Sequence, residues 1–302
     1  MPQLISNLSS RLIFLFQALL VLTHSLLVLT HSLLVLLKIT RPNEWEPPTL
    51  LDSLFFSPLL YLTSKIYLLI LFLRGQPFRP PPHHSPIRVH KVVIAGNHDC
   101  FLDPASSIHR AGLKEKRKLD WKGVVWLQDE LVTLEFDDRV GNGKRKLNVF
   151  GSSWVPRCGG DDFAFQYPHE KPPWEGKIPL ETDVLITHCP PKGHLDLLLG
   201  CPALLSELWR VKPKLHVFGH IHHEAGVESV FFDECQASYE SLLLRVVDAL
   251  NVLRYGLQSV LWKWIMAGPG SNNGGVLVNA GVMRGNTGRL RKGREVVKVV
   301  DL

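Results

Sequence analysis

Paired cysteines are missing from this chain. Its 302 residues include five (Cys100, Cys158, Cys189, Cys201, Cys235), an odd number without repeated spacing. That excludes a disulfide framework and fits reduced thiols of a cytosol-facing domain. Cys189 follows a histidine, but no base with its own orienting group accompanies it, so it reads as an incidental buried thiol rather than a nucleophile. Acidic residues are scarce ahead of Gly96, where only Glu44, Glu46 and Asp52 occur. A nucleic-acid-binding module is also lacking. The net charge of +6 comes partly from Lys114 to Lys118 and Arg284 to Arg294, runs with no interleaved aromatic platform, so no nucleic-acid partner is expected. Such runs are solvated faces, or a basic rim that attracts phosphorylated substrates or anionic lipid.

What is present is a set of short apolar runs, each closed by a polar signature. Lys91 to Ala95 leads into Gly96-Asn97-His98-Asp99, Asp183 to Ile186 into Thr187-His188, and Leu215 to Phe218 into Gly219-His220-Ile221-His222. Runs of this kind read as buried parallel strands, and ligand sites in α/β folds lie beyond the carboxyl ends of such strands. Three strand ends thus present an amide and histidines toward one place, which predicts a hydrolytic metal site. Imidazole and oxygen donors suit zinc, manganese or iron without any thiolate. If the third segment is extended, His220 and His222 face the same way while Ile221 turns into packing.

The same residues resemble the later motifs of the calcineurin-like metallophosphoesterases. More narrowly, Thr187 to Asp196 (THCPPKGHLD) and Pro213 to His220 (PKLHVFGH) resemble the metallophosphoesterase domain-containing branch, including its fungal members. The similarity runs from about Lys91 to Glu240 and resumes weakly over Val276 to Arg284 and in the last strand. It implies a two-metal phosphoesterase acting on a small-molecule phosphomonoester or phosphodiester. Asn97, His188 and His220 match ligands of the second ion and His222 matches a ligand of the first. His98 matches the residue that protonates or stabilises the leaving oxygen, and Asp99 an outer residue that orients the site.

The family pattern also opens with Asp-x-His after the first strand and Gly-Asp after the second, and neither occurs here. Pro86 to Val89 looks like the first strand, yet it joins directly to His90 to Gly96, which looks like the third. About two βα units, on the order of 60 residues, are missing at Val89/His90. Without a carboxylate bridge the site has little negative charge to hold two dications together. The expectation is one weakly bound ion or none, and impaired catalysis. The alternative is a non-catalytic binding or regulatory module that keeps the fold.

The expected fold class is α/β with an α+β leaning: a partial metallophosphoesterase sandwich of mixed sheets flanked by helices, preceded by hydrophobic helices. Residues 1–84 read as membrane-associated helices and a Pro-rich linker, and 85–302 as the phosphoesterase-like domain with an amphipathic helical insertion at 241–266. Leu12 to Leu37 is apolar enough to span a bilayer and contains a seven-residue repeat. Leu54 to Leu73, broken by Pro58 and Lys65, reads as an interfacial or re-entrant helix, with a second span as the alternative. Lys38 and Arg41 outnumber Arg11, which favours a membrane protein with its globular domain in the cytosol and lipid as a partner. Tyr239 to Met266 reads as one helix with a polar stripe (Arg245, Asp248, Asn251, Arg254, Gln258), lying on a membrane or on the sheet. Further strands are expected near Val124 to Leu127, Val132 to Phe136, Leu147 to Gly151 and Val276 to Asn279, and a helix after Pro202. Substrate choice is assigned to loops such as Cys158 to Asp162 and Pro172 to Trp174.

Overall fold

Alternating burial along the strands sets the architecture. In β4 (Lys144–Ser152) and β7 (Val184–Thr187), Val149 and Val184 join one apolar cluster while Phe150 and Leu185 join another. Successive side chains leave a strand on opposite faces, so the sheet is covered on both sides. The computed structural model describes residues 43–75, 77, 90–106, 119–137, 144–241, 246–266, 274–285, 289–291 and 300. Leu12 to Leu37, the repeat within it and Pro86 to Val89 lie outside them.

Six strands form the main sheet in the order β3-β4-β7-β8-β10-β9. Here β3 is Glu130–Asp137, β8 Leu215–Phe218, β9 Gly226–Val230 and β10 Gly275–Asn279. The four central strands are mutually parallel, and β3 and β9 close the edges antiparallel. This is the mixed sheet flanked by helices that the sequence implies. The first motif strand departs from that picture. β1 (Lys91–Val93) pairs only with β2 (Val124–Trp126), in a separate parallel sheet of two. That small sheet seats itself where β4 has no side chain: a Cβ on Gly151 would lie 2.5 Å from Leu127 Cβ and 2.9 Å from Ile94 Cγ2. A third pair, β5 (Val155–Pro156) and β6 (Gln166–Tyr167), lies beyond β4.

The chain divides by contacts into Met1–Tyr61 and Leu62–Leu302. In the first unit α1 (Leu50–Phe56) starts at a capping box, in which Thr49 Oγ1 accepts from Asp52 N and Asp52 Oδ2 accepts from Thr49 N. α2 (Pro58–Arg74) follows and continues from Leu62 as part of the second unit, so the hydrophobic stretch breaks at Ser57-Pro58. Among the described residues no helix is long and apolar enough to cross a membrane.

In the second unit α3 (Pro202–Val211) forms after Pro202 as the sequence predicts, with Cys201 as its N-cap. Leu204 and Leu208 are fully buried beside Trp174 and Ile178, each contributing about 1.5–3 kcal/mol of apolar burial. The long carboxyl-terminal helix is two helices rather than one: α4 (Glu234–Ser241) and α5 (Val246–Met266). α4 meets α2 through a parallel stack of Tyr67 on Tyr239, centroids 3.9 Å apart. Arg74 is held by Asp233 at 2.5 Å and covers the Phe231 ring.

Candidate metal centre

The carboxyl ends of β4, β7 and β8 lie side by side, and short backbone bonds hold their exits in step. Ser152 O accepts from His188 N at 3.3 Å, and His188 O accepts from Gly219 N at 3.2 Å. His188 therefore leaves β7 next to the turn that carries His220. Asn97 arrives from the small sheet, whose exit is tied to the large one where Ala95 N donates to Ser153 Oγ at 3.0 Å. Asn97 Oδ1 then accepts from His188 Nε2 at 2.8 Å, and the His188 and His220 rings lie 4.9 Å apart. A Cβ on Gly96 would stand 2.7 Å from His188 Cε1, so only glycine lets the Asn97 turn approach this ring.

His220 and His222 are not positioned by strand alternation. His220 takes a left-handed backbone, φ 66°, and a 3-10 turn begins at His222 (His222–Glu224). An αL residue without glycine is strained and persists where its surroundings impose it. The imposing group is Asn279 at the end of β10. Fully buried, it donates through Nδ2 to Ile221 O at 2.8 Å and Leu195 O at 3.0 Å. Its Oδ1 accepts from Gly281 N. Arg291 adds a donor to His222 O at 2.9 Å. The sequence signal for Asn279, a lone amide closing the apolar run Val276 to Val278, was visible but not read as part of the site.

Electrostatics keep these imidazoles neutral. Burial, then the neighbouring histidines His222 and His98, push His188 down to about 4. His220 goes down to about 3 through burial and then His188, His222 and His98. His222 is lowered too, mainly by burial. Neutral imidazole is the form that binds a metal. His98 stands on the same side, its ring edge-on to Phe163 at 5.0 Å. Asp99 acts on the turn: its Oδ2 accepts from Gly96 N at 2.6 Å. Behind His188, Thr187 Oγ1 donates to Cys189 O, so His216 Nε2 is the donor to Thr187 Oγ1 at 2.8 Å. That fixes the His216 tautomer and braces the strand end from which His188 projects.

The two loops expected to choose substrate have different fates. The Cys158 loop borders the site, with Cys158 Sγ 3.9 Å from Asn97 Nδ2 and Ala164 N donating to Asn97 O. Trp174 does not: it is fully buried in the core, donating to Tyr167 OH at 3.2 Å. Pro172-Pro173 thus ends in a core anchor, and that expectation is corrected.

A profile of the calcineurin-like phosphoesterase family matches residues 63–224, more than half of the chain. The chain belongs to the calcineurin-like phosphoesterase family. It is 33% identical over 162 residues to metallophosphoesterase domain-containing protein 1 of Homo sapiens, covering 46% of each chain. A UPF0046 protein of Caenorhabditis elegans is 32% identical over 163 residues, 45% of this chain and 39% of that protein. A protein of Emericella nidulans described as a probable rhamnogalacturonate lyase C is 42% identical over 178 residues, 58% of this chain and 15% of that protein. The chain thus spans less than half the length of each of these curated relatives. They support the metallophosphoesterase domain-containing branch. The family is one of phosphoesterases that generally bind divalent metals.

The donor set near His188 carries no carboxylate. Asn97 touches His188, and the His188 ring lies 4.9 Å from that of His220, but these uncharged donors would leave the mutual repulsion of two dications uncompensated. Nearby carboxylates are engaged elsewhere. Asp129 binds Ser152, Trp154 and Lys177, and Asp103 accepts from Phe165 N and Ala105 N. Among the described residues no group of three or more His, Cys, Asp or Glu stands ready to hold an ion. His188 Nε2 and Asn97 Oδ1 bond to each other, so this pair must open before either atom can serve as a ligand.

Proposed function

We propose that this chain is a membrane-attached, phosphoester-binding metallophosphoesterase domain that takes a single divalent cation and has impaired hydrolytic activity. The observation that carries the reading is the Asn97–His188–His220 contact, at the ends of strands from two sheets, with His188 and His220 held neutral. Asn97, His188, His220 and His222 would hold the cation. A bound dication would supply Lewis acidity toward a phosphoryl oxygen. To donate through Nε2, His188 would open its bond to Asn97 and shift to the tautomer that carries its single ring proton on Nδ1. His98, steadied by Phe163, is the proton source for the leaving oxygen. Asp99 holds the turn from which Asn97 and His98 project. Attachment would run through Leu12 to Leu37, with the globular domain on the cytosolic side.

Equilibrium dialysis with manganese and turnover of bis(p-nitrophenyl) phosphate test the metal reading. At most one ion per chain is expected, with slow turnover, and both are lost in His188→Ala and His220→Ala. Two ions with robust turnover would refute the impairment. No uptake at all would replace the reading by a binding module that has kept only the fold.

A further inference from the structure

α5 is an amphipathic helix turned inside out. Its large apolar side chains Leu253, Leu257, Leu261 and Trp264 recur every three or four residues on the solvent side, from 51% exposed at Leu253 to 74% at Trp264. Its inner face is small: Gly256 is packed so closely that a Cβ would lie 2.1 Å from Ile70 Cδ1 of α2, and Val252 is fully buried. The adjoining helix repeats the pattern, with Leu69 at 56% and Phe72 at 80% exposed. The two helices run in the same direction. Gly256 meets Ile70, and further along both chains Lys263 Nζ donates to Leu73 O at 2.9 Å and to Arg74 O. Lys263 thereby caps the end of α2. The apolar sides of both helices end at the same level, where Trp262 and Trp264 are exposed.

A helix whose bulky apolar side faces outward needs an apolar partner. We infer that the α2–α5 face is a membrane-docking surface that lies in the interface of a bilayer containing anionic lipid. This rests on the membrane attachment proposed above and adds its contact surface. Three observations select lipid over a second copy. Asp248 is the sole acidic residue of the two helices, against Lys65, Arg254 and Lys263, with Arg74 buried and engaged by Asp233, a balance suited to anionic headgroups. Paired tryptophans beside a lysine at one end match the amphipathic belt at a water–lipid boundary. The same chain carries the Leu12 to Leu37 run only 24 residues ahead of Leu62, which would keep the face at a bilayer surface. Neither helix is long and apolar enough to cross a membrane, and a helix that lies in the interface need not be.

The test is flotation of the full chain with phosphatidylcholine/phosphatidylserine vesicles, combined with fluorescence quenching by acyl-chain-brominated lipid. The wild-type chain should float and be quenched. Trp262→Phe with Trp264→Phe should float equally but lose at least half of the quenching. Leu257→Glu with Leu261→Glu should likewise float with quenching reduced several-fold. A chain that does not float overturns the membrane attachment and the docking face together. A chain that floats, with quenching unchanged in the tryptophan variant, overturns the docking face alone. Dimerisation abolished by Leu257→Glu/Leu261→Glu, without quenching in the wild type, assigns the face to a second copy instead.

Discussion

Two groups of buried histidines in this domain are held in opposite charge states. At the strand ends, His188 and His220 face other imidazoles and an amide, and burial strips their protons. Beyond the sheet, His194 is fully buried between Glu228 (Nδ1 to Oε1, 3.0 Å) and Glu240 (Nε2 to Oε1, 2.9 Å). Burial alone would lower His194 as well, but the two carboxylates outweigh it and lift it to about 10. Glu240 also accepts from Gln236 Nε2 and Trp209 Nε1, so β9, α3, α4 and the loop after β7 meet at one charged knot. Carboxylates decide the difference. One cluster is a closed structural ion pair; the other is a neutral donor set that lacks the acid needed for a second ion.

The comparison breaks first at His194. Replacement by Ala leaves two buried carboxylates facing each other and should cost about 3–5 kcal/mol, read as a lower urea midpoint with unchanged slope. His188→Ala, which removes a neutral imidazole and its hydrogen bond to Asn97, should cost far less while abolishing cation uptake. Equal destabilisation of the two variants would dissolve the distinction.

Affinity comes next. Asn279→Ala frees the strained His220 turn and should weaken manganese binding about 10–100-fold, the usual range for outer residues that orient ligands. Gly96→Ala drives a Cβ into the His188 ring and should weaken it about tenfold. Isothermal titration checks both; unchanged affinity in Asn279→Ala would remove its positioning role.

The smallest and sharpest difference is in pH. His194 has a raised folded value, so its stabilisation is complete below about 6.5 and is lost as pH rises toward about 10. His188 and His220 have lowered values. Below about 6.5 the unfolded chain takes up protons that the folded one refuses, so their contribution falls as pH drops toward 4. Unfolding free energy against pH should decline on both sides of neutrality. His194→Gln should flatten only the alkaline limb, and His220→Gln should soften only the acid limb.

Much of this was legible beforehand. Strand periodicity placed β7, β8 and β10 nearly to the residue, because a parallel strand covered on both faces must be apolar along its length. Pro202 after Cys201 marked the start of α3, since proline suits the first turn of a helix. The candidate donors were readable as well, because each follows such a strand. Other features were not. Nothing local to Lys91 to Val93 says that this strand leaves the main sheet for a sheet of two. The choice is made by Gly151, which opens a seat for Leu127 and Ile94. The break between α4 and α5 was missed because the apolar spacing continues across it.

The sequence by itself determined the layers, the family and which side chains could serve as donors, since period, strand-end chemistry and motif spelling are local properties. Tertiary structure alone decided the protonation of His188, His194 and His220, the left-handed turn at His220, and the exposure of the apolar side of α5. Those depend on which carboxylate, amide or helix stands opposite, and residues such as Glu228, Glu240, Asn279 and Ile70 reach their partners only through the fold.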